Sequence, residues 1–463
     1  MKLHRQMNHR LGLALALLSN LLLWGCGNGD PPDIDASPLA PDFTYGQQGK
    51  ATFPIGTLEG RIGKSVLQPD GKLLVAGWRQ TPGSGPGRAP SELFVIRVNV
   101  DGSPDSQFGT GGELRLTVKG SDTVADMAVQ ADGRILLAVD ASEPCVVTGL
   151  FLCTSANGAM ASRVSVMLRL SPQGMRDASF GSKGIVEAPA SSLSLALGLQ
   201  TDGRIVLLRS TGRARLGLFG WALARYHPDG APDPAFNQGE EVPSNCQADE
   251  ASLLLQPDGG MVVGAVQGVS YGDPTVNPGL CMERLHADGS RDLGFANANL
   301  WNAFNTNVSL HALSPLPSKA LLAIGRSCDL TNCGFWVSQF DREGRQDPSF
   351  GQGGTLQTLL GPTFNLAGSL LTRGGELILL GTHRPNSATQ QAQTYQPVWI
   401  RLDSTGQAAP GFGVNGVLVQ APETLQAQQL LQDSQGRWLV VSRARMADGG
   451  LAVVVNRLRG ERQ

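Results

Sequence analysis

One pattern, roughly sixty residues long, recurs from one end of the chain to the other, and a chain built this way folds as a series of like units rather than around a single core. The clearest copy reads Leu67-Gln68-Pro69-Asp70-Gly71-Lys72, an apolar run to Gly77, a variable stretch, Phe94-Val95-Ile96-Arg97-Val98-Asn99-Val100-Asp101-Gly102, then Asp105-Ser106-Gln107-Phe108-Gly109 with Gly111 and Gly112. Its first half returns at Gln130–Arg134, Gln200–Arg204 and Gln256–Gly259, and in weaker form at Leu316–Lys319, Thr372–Gly375 and Gln432–Arg437, which makes seven copies. The second half returns with its aromatic at Phe180, Phe236, Phe295, Phe350 and Phe412, and a lone copy, Asp42-Phe43-Thr44-Tyr45-Gly46, stands near the start. Asp105, Asp177, Asp233, Asp292 and Asp347 each precede their aromatic by three residues.

Each copy reads as strand, Asp-Gly turn, strand, variable connection, strand, Asp-Gly turn and strand. Aspartate and glycine reach the positive φ of two-residue hairpin turns more easily than other residues, so these positions are structural. Alternation such as Phe94, Ile96, Val98 turns one strand face inward between neighbouring units. Composition agrees: 59 Gly and 28 Pro with 16% charged residues suit many short strands and tight turns. The expectation is an all-β chain, a seven-bladed β-propeller of four-stranded antiparallel blades spanning residues 42–460. The last copy stops near Arg457-Leu458-Arg459 without a fourth strand, whereas Asp42–Phe53 carries such a strand with nothing before it. Pairing the two closes the ring and removes both edges.

The repeated Leu-Gln-Pro-Asp-Gly-Lys run, followed by Arg/Asn, Asp-Gly and Phe-Gly-x-x-Gly, resembles the bacterial delta-60 repeat family. The resemblance covers about residues 42–459, with departures at Ser318-Lys319, Gly374-Gly375 and Ala296. It implies a propeller-like fold, and the family's members are largely without an assigned function.

The N-terminus reads as an export signal. Lys2, Arg5 and Arg10 precede an apolar run from Leu11 to Trp24, too short to span a bilayer but suited to a signal peptide over residues 1–25. Leu23-Trp24-Gly25-Cys26 resembles the lipobox of bacterial lipoproteins, which implies lipidation of Cys26, and Gly27 at the next position implies the outer membrane. The alternative is an ordinary secretory signal with Cys26 a free thiol. Residues 26–41, with Pro31, Pro32, Pro38 and Pro41, read as a flexible tether. Removing the signal takes three basic and no acidic residues from totals of 37 Lys and Arg against 39 Asp and Glu, and the mildly acidic remainder argues against nucleic-acid binding.

Six cysteines remain beyond Cys26, and an even count in an exported chain favours disulfides. The spacing pairs Cys145 with Cys153 and Cys328 with Cys333, leaving Cys246 with Cys281. No Cys-x-x-Cys, His-x-His or His-Glu-x-x-His arrangement offers metal ligands. Asp101 and Asp105 recur as only two acids four apart, so they read as turn and cap, with calcium a minor alternative. No other cofactor is expected. Gly268-Val269-Ser270-Tyr271-Gly272 has the letters of a nucleophile elbow but lies in a variable loop, and Gly63-Lys64-Ser65 sits in a strand without the glycine a phosphate loop needs at Leu58. Of His227, His286, His311 and His383, the first two occupy equivalent repeat positions. Trp78, Trp221, Trp301, Trp336, Trp399 and Trp438 share no loop position, and packing accounts for them.

The function expected from sequence is an envelope-anchored binding or scaffolding module without a catalytic motif. Its unknown protein or glycan ligand would contact the variable connections Arg79–Ser91, Ala141–Ala161, Gln267–Gly279 and His383–Gln396, near Trp78, on the face opposite the Asp-Gly turns. The alternative is a propeller enzyme, such as a glycan hydrolase, with its site at the central channel; convergence of non-repeat Asp, Glu or His residues there is its mark. Anchoring gives a direct test: Cys26→Ser is expected to move the protein from the membrane fraction to the soluble one, and a variant that still sediments with membranes rules the lipid out.

Overall fold

The computed structural model describes residues 38–460 apart from 57–58, 81–89, 144, 149–151, 156–162, 189–192, 212–219, 248–249, 268–278, 297–306, 317–319 and 385–393. The chain is all-β, with no α-helix among the described residues. Each repeat folds as an antiparallel sheet whose strands lie in chain order, as in Ser194–Leu199, Ile205–Thr211, Gly220–Tyr226 and Val242–Gln247 of the third repeat. The innermost strands of the others are Gly60–Leu67, Ser121–Val129, Glu250–Leu255, Asn307–Pro315, Asn365–Leu371 and Leu425–Gln432. Sheets of the first two repeats are joined by one parallel bridge, Ser91 to Ser121.

The last sheet is completed from the other end of the chain. Lys50–Pro54 pairs antiparallel with Leu451–Leu458, Lys50 opposite Asn456 and Pro54 opposite Ala452. The expected pairing of the first strand with the last repeat is therefore present. The first innermost strand is tied to the last repeat by Gln429 Nε2, on that repeat's innermost strand, donating to the Gly63 carbonyl (3.1 Å) and by Arg443 Nη1, on its second strand, donating to that of Gly60 (3.2 Å).

The Asp-Gly turns differ in detail from expectation. Gln68 N–H bonds the Lys72 carbonyl, Gly71 N–H bonds the Gln68 carbonyl, and of the residues between only Gly71 has positive φ (81°). This is a three-residue loop, a type I turn closed by a left-handed glycine, which accepts Pro69 at its first corner. Asp70 contributes a cap to the Lys72 N–H (3.2 Å) rather than an unusual backbone angle. In the last repeat the same bonds run from Asp433 to Arg437, so that turn begins one residue later than the sequence reading placed it.

Strands buried on both faces divide their side chains by parity. Leu74 and Ala76 pack towards the second repeat with Val124, Leu137 and Val139, while Leu73 and Val75 pack towards the last repeat with Val441 and Val453. The core is thus a series of layers between sheets. Trp221, Trp336 and Trp438 are fully buried, and Trp399 stacks on Trp438 at 5.7 Å between centroids, as packing predicts.

The second half of the repeat is an inter-sheet clamp. Arg97 donates Nε to Asp105 Oδ2 (2.8 Å), lies 4.6 Å over the Phe108 ring and reaches with Nη1 to the Pro172 carbonyl of the next repeat. Arg169, Arg225 and Arg284 do the same with Asp177 and Phe180, Asp233 and Phe236, and Asp292 and Phe295, bonding the carbonyls of Pro228, Ala287 and Arg342. Phe108 also fills the space beside Gly174 of the next repeat, whose φ of 89° and close ring contact leave no room for a Cβ. Arg457, Asp42 and Tyr45 form the clamp that bonds the Val100 carbonyl of the first repeat, the two halves contributed by opposite ends of the chain.

Two of the three expected disulfides are present. Cys328–Cys333 closes a short connection within one sheet, while Cys246–Cys281 joins the outer strand of the third repeat to the third strand of the fourth. Cys246 thus lies in a strand, not in the connection where sequence placed it. The side chains of Cys145 and Cys153 lie outside the described residues, as does Cys26.

Arg225→Ala is expected to lower stability by about 1.5–3 kcal/mol, because it removes the buried charge-assisted bond and leaves the Asp233 carboxylate with Arg204 as its remaining guanidinium. Burial opposes ionisation of Asp233, but the Ala235 N–H and Arg225 outweigh it and hold the carboxyl below its usual 3.8. The clamp's contribution is therefore complete above that value and lost as pH falls through the lowered one. Denaturant midpoints of both proteins, measured from pH 7 to pH 3, check the size and the convergence at acid pH.

Candidate functional site at the central cavity

Six innermost strands carry a β-bulge at the same place. The extra residues are Gly63, Ala125, Leu195, His311, Ala367 and Gln428, each five positions before the residue that opens the first turn of its repeat. A bulge interrupts the ladder and re-aims a side chain. Five of these residues are small, aliphatic or amide; the sixth is an imidazole.

His311 lines a cavity of about 400 Å³ whose wall is built from the starts of innermost strands: Ala125, Ser194, Ala251, Ser309 and Asn365, with Arg326 from a second strand. The ring keeps solvent contact through the cavity, yet the walls enclose it, and no described group hydrogen-bonds it. Enclosure, with the nearby positive charge of Lys64 second, pushes its pKa down to about 4. At neutral pH His311 is an uncharged ring able to accept a proton.

The polar residues that follow a bulge, Lys64, Asp126 and Gln429, join neighbouring repeats. Lys64 Nζ lies 3.1 Å from Asp126 Oδ1, and Asp126 Oδ2 accepts the Leu197 N–H (2.8 Å), so this carboxylate links the first, second and third repeats. Ser252 Oγ accepts the Leu313 N–H in the same way (3.3 Å). Asp126 is thus occupied as a stitch. Ser194 Oγ shares a hydrogen with Ser165 Oγ (2.6 Å), and Arg326 Nε donates to the Phe364 carbonyl (2.8 Å). The cavity offers hydroxyl, amide, guanidinium and imidazole groups on an otherwise aliphatic wall.

The other residues singled out in the sequence fall elsewhere. Asp101 Oδ1 caps the Ser103 N–H (2.9 Å), and Asp105 holds Arg97 and Lys72. His227 and His286 sit at the Asp-Gly turns, bonding through their backbone N–H groups. Lys64 stands in a strand as expected and acts there on His311. Ser270 and most of the four variable connections lie outside the described residues. Trp78 is half-buried and packs against the core of the first two repeats. The site was missed because His311 was compared with other histidines; counting back from each turn makes it stand out.

A family model described as a domain of unknown function (DUF5122) beta-propeller matches residues 68–108 and 200–236. The chain is a β-propeller-like repeat protein. No relative was found among curated proteins. Solved structures similar in fold include the polysaccharide lyase Uly1 (10% identity, TM-score 0.44, covering 91% of this chain and 98% of the lyase). An α-L-arabinanase of Penicillium chrysogenum complexed with arabinobiose matches at 10% identity and TM-score 0.40 over 89% and 97%. A PQQ-bound aldose sugar dehydrogenase of Streptomyces coelicolor matches at 11% identity and TM-score 0.37 over 88% and 98%. The expectation of a binding or scaffolding module without catalysis is corrected here: a non-repeat histidine lines the cavity, and solved structures of similar fold include glycan-processing enzymes.

The His311 ring is expected to titrate near 4, against 6.5 for an ordinary imidazole. The unfolded chain then takes up this proton first, so the fold loses stability as pH falls through that interval. Histidine ring NMR shifts followed with pH, with His311→Gln assigning the resonance, check the value; a midpoint near 6.5 contradicts the described enclosure.

Proposed function

We propose that this chain is an exported propeller enzyme acting on glycans, with His311 at its central cavity. Under this reading the seven repeats form a closed ring of seven blades, and Cys26 anchors it to the outer membrane. The observation that carries the reading is an uncharged imidazole, bonded by no described group, at a bulge position where five other repeats place small, aliphatic or amide side chains. A sugar presents hydroxyls on C–H faces, which suits scattered donors and acceptors on an aliphatic wall such as Ser194, Ser309, Asn365 and Leu366 provide.

The imidazole supplies proton transfer. In glycoside hydrolysis His311 takes a proton from the attacking water, the new bond forms to the anomeric carbon as its bond to the leaving oxygen breaks, and the proton passes on to that oxygen. Arg326 and the hydroxyls orient the sugar. Reducing ends released from a panel of neutral and acidic polysaccharides, assayed with the purified mature protein, test this. His311→Gln is expected to lower kcat by roughly 10²- to 10⁴-fold with an unchanged melting temperature, and wild-type activity to fall only as pH drops towards 4. Activity that survives His311→Gln, or a panel wholly resistant to cleavage, defeats the proposal.

A further inference from the structure

Away from the bulges, on the turn side, the residue just after the first Asp-Gly turn is a cation held between two carboxylates in several repeats. Lys72 Nζ lies 2.9 Å from Asp105 and 3.9 Å from Asp70. Arg134 lies 3.1 Å from Asp132 and 3.3 Å from Asp177. Arg204 lies 2.9 Å from Asp233 and also pairs with Asp202, and Arg437 lies 2.7 Å from Asp433 and 3.7 Å from Asp42. The clamp aspartate thus receives two cations, one from the clamp arginine and one from this position.

The fourth repeat retains both carboxylates, Asp258 and Asp292, but has Gly260 where the cation stands. Asp292 Oδ2 accepts from Arg284 (2.8 Å) and its Oδ1 from the Gly294 N–H (2.9 Å); Gly260 brings no side chain to it. A cavity of about 550 Å³ opens there, lined by Gln256, Asp258, Arg284, His286, Asp292 and Glu343. The equivalent positions of the first repeat are Gln68, Asp70, Arg97, Asn99, Asp105 and Gln173, and there Lys72 Nζ lies 2.9 Å from Asp105.

We infer that this cavity is a binding site for an organic cation, a guanidinium or primary ammonium on a short alkyl stem, taking the place that Lys72 and Arg204 fill in their own repeats. The ammonium or guanidinium meets Asp292 Oδ2, and the stem lies along the Gly260 backbone, as the lysine and arginine stems do elsewhere. Three carboxylates against two guanidinium groups on the lining leave the site attractive to positive charge. The site is on the turn side and does not depend on the glycan reading of the bulge cavity.

The test uses the purified mature protein in low salt, with agmatine and putrescine as guanidinium and ammonium probes and N-butylurea as the uncharged control. Both cations are expected to raise the melting temperature saturably and the control to leave it unchanged. Asp292→Asn should weaken the apparent Kd by about tenfold or more, since a charge-assisted bond is lost. Gly260→Arg should melt higher than wild type without any probe and no longer respond, and Gly260→Leu, which fills the space without charge, should also lose the response. The Gly260 backbone is not left-handed and a Cβ there meets only side-chain ends and one carbonyl at 3.4 Å, so both substitutions are accommodated. Absence of a saturable shift, or an undiminished shift in Gly260→Arg, overturns the inference.

Discussion

The arrangement of arginine, aspartate and aromatic ring carries the fold from one sheet to the next. Each arginine has its charge met by a carboxylate, its flat face covered by a ring, and its free nitrogen spent on a carbonyl of the following repeat. Burying a guanidinium is costly unless all three demands are met, and here they are met only when two repeats are in register. Sheets packed through aliphatic side chains alone slide and tilt with little penalty; the clamp fixes their relative position at the rim while the aliphatic layers supply the burial.

Variation between repeats follows charge. In the sixth repeat Ala409 stands where the clamp aspartate belongs, and Glu376 occupies the position after the turn that is cationic in the first, second, third and last repeats, 2.6 Å from Arg401. The carboxylate has moved from one strand to another and the arginine keeps its partner. In the fifth, Gln339 replaces the arginine, donates to Asp347 (2.9 Å), and Ala320 replaces the second cation. Asp347 is there held by neutral donors, the Gln339 amide and the Ser349 N–H and hydroxyl. The fourth repeat keeps Arg284 and both carboxylates and lacks the second cation, at Gly260.

Much of this architecture was legible in the sequence because its signals are local. A left-handed glycine, an aspartate capping the amide two residues on, and a phenylalanine three residues after an aspartate are short-range requirements, repeated often enough to be unmistakable. The turn type was misread because Asp-Gly serves both two- and three-residue hairpins; Pro69 at the first corner was the distinguishing residue. The cavity was less legible. A bulge leaves no composition of its own, and His311 becomes unusual only beside Ala125, Leu195 and Ala367, once strands are aligned backwards from their turns. The inter-sheet disulfide at Cys246 was reached by elimination, but its strand position depends on where Val242–Gln247 ends, which no local pattern marks.

The last sheet takes its fourth strand from Lys50–Pro54, so a strand made before the first repeat waits for the seventh. Arg457 and Asp42 meet across 415 positions of sequence. Loop closure of that length adds little entropy beyond that of a much shorter one, but it postpones the fastening step until the seventh repeat has been made. A chain cut short at any repeat therefore keeps two open strand edges and an arginine or tyrosine clamp with half its partners, which distinguishes finished from unfinished copies through exposed backbone alone.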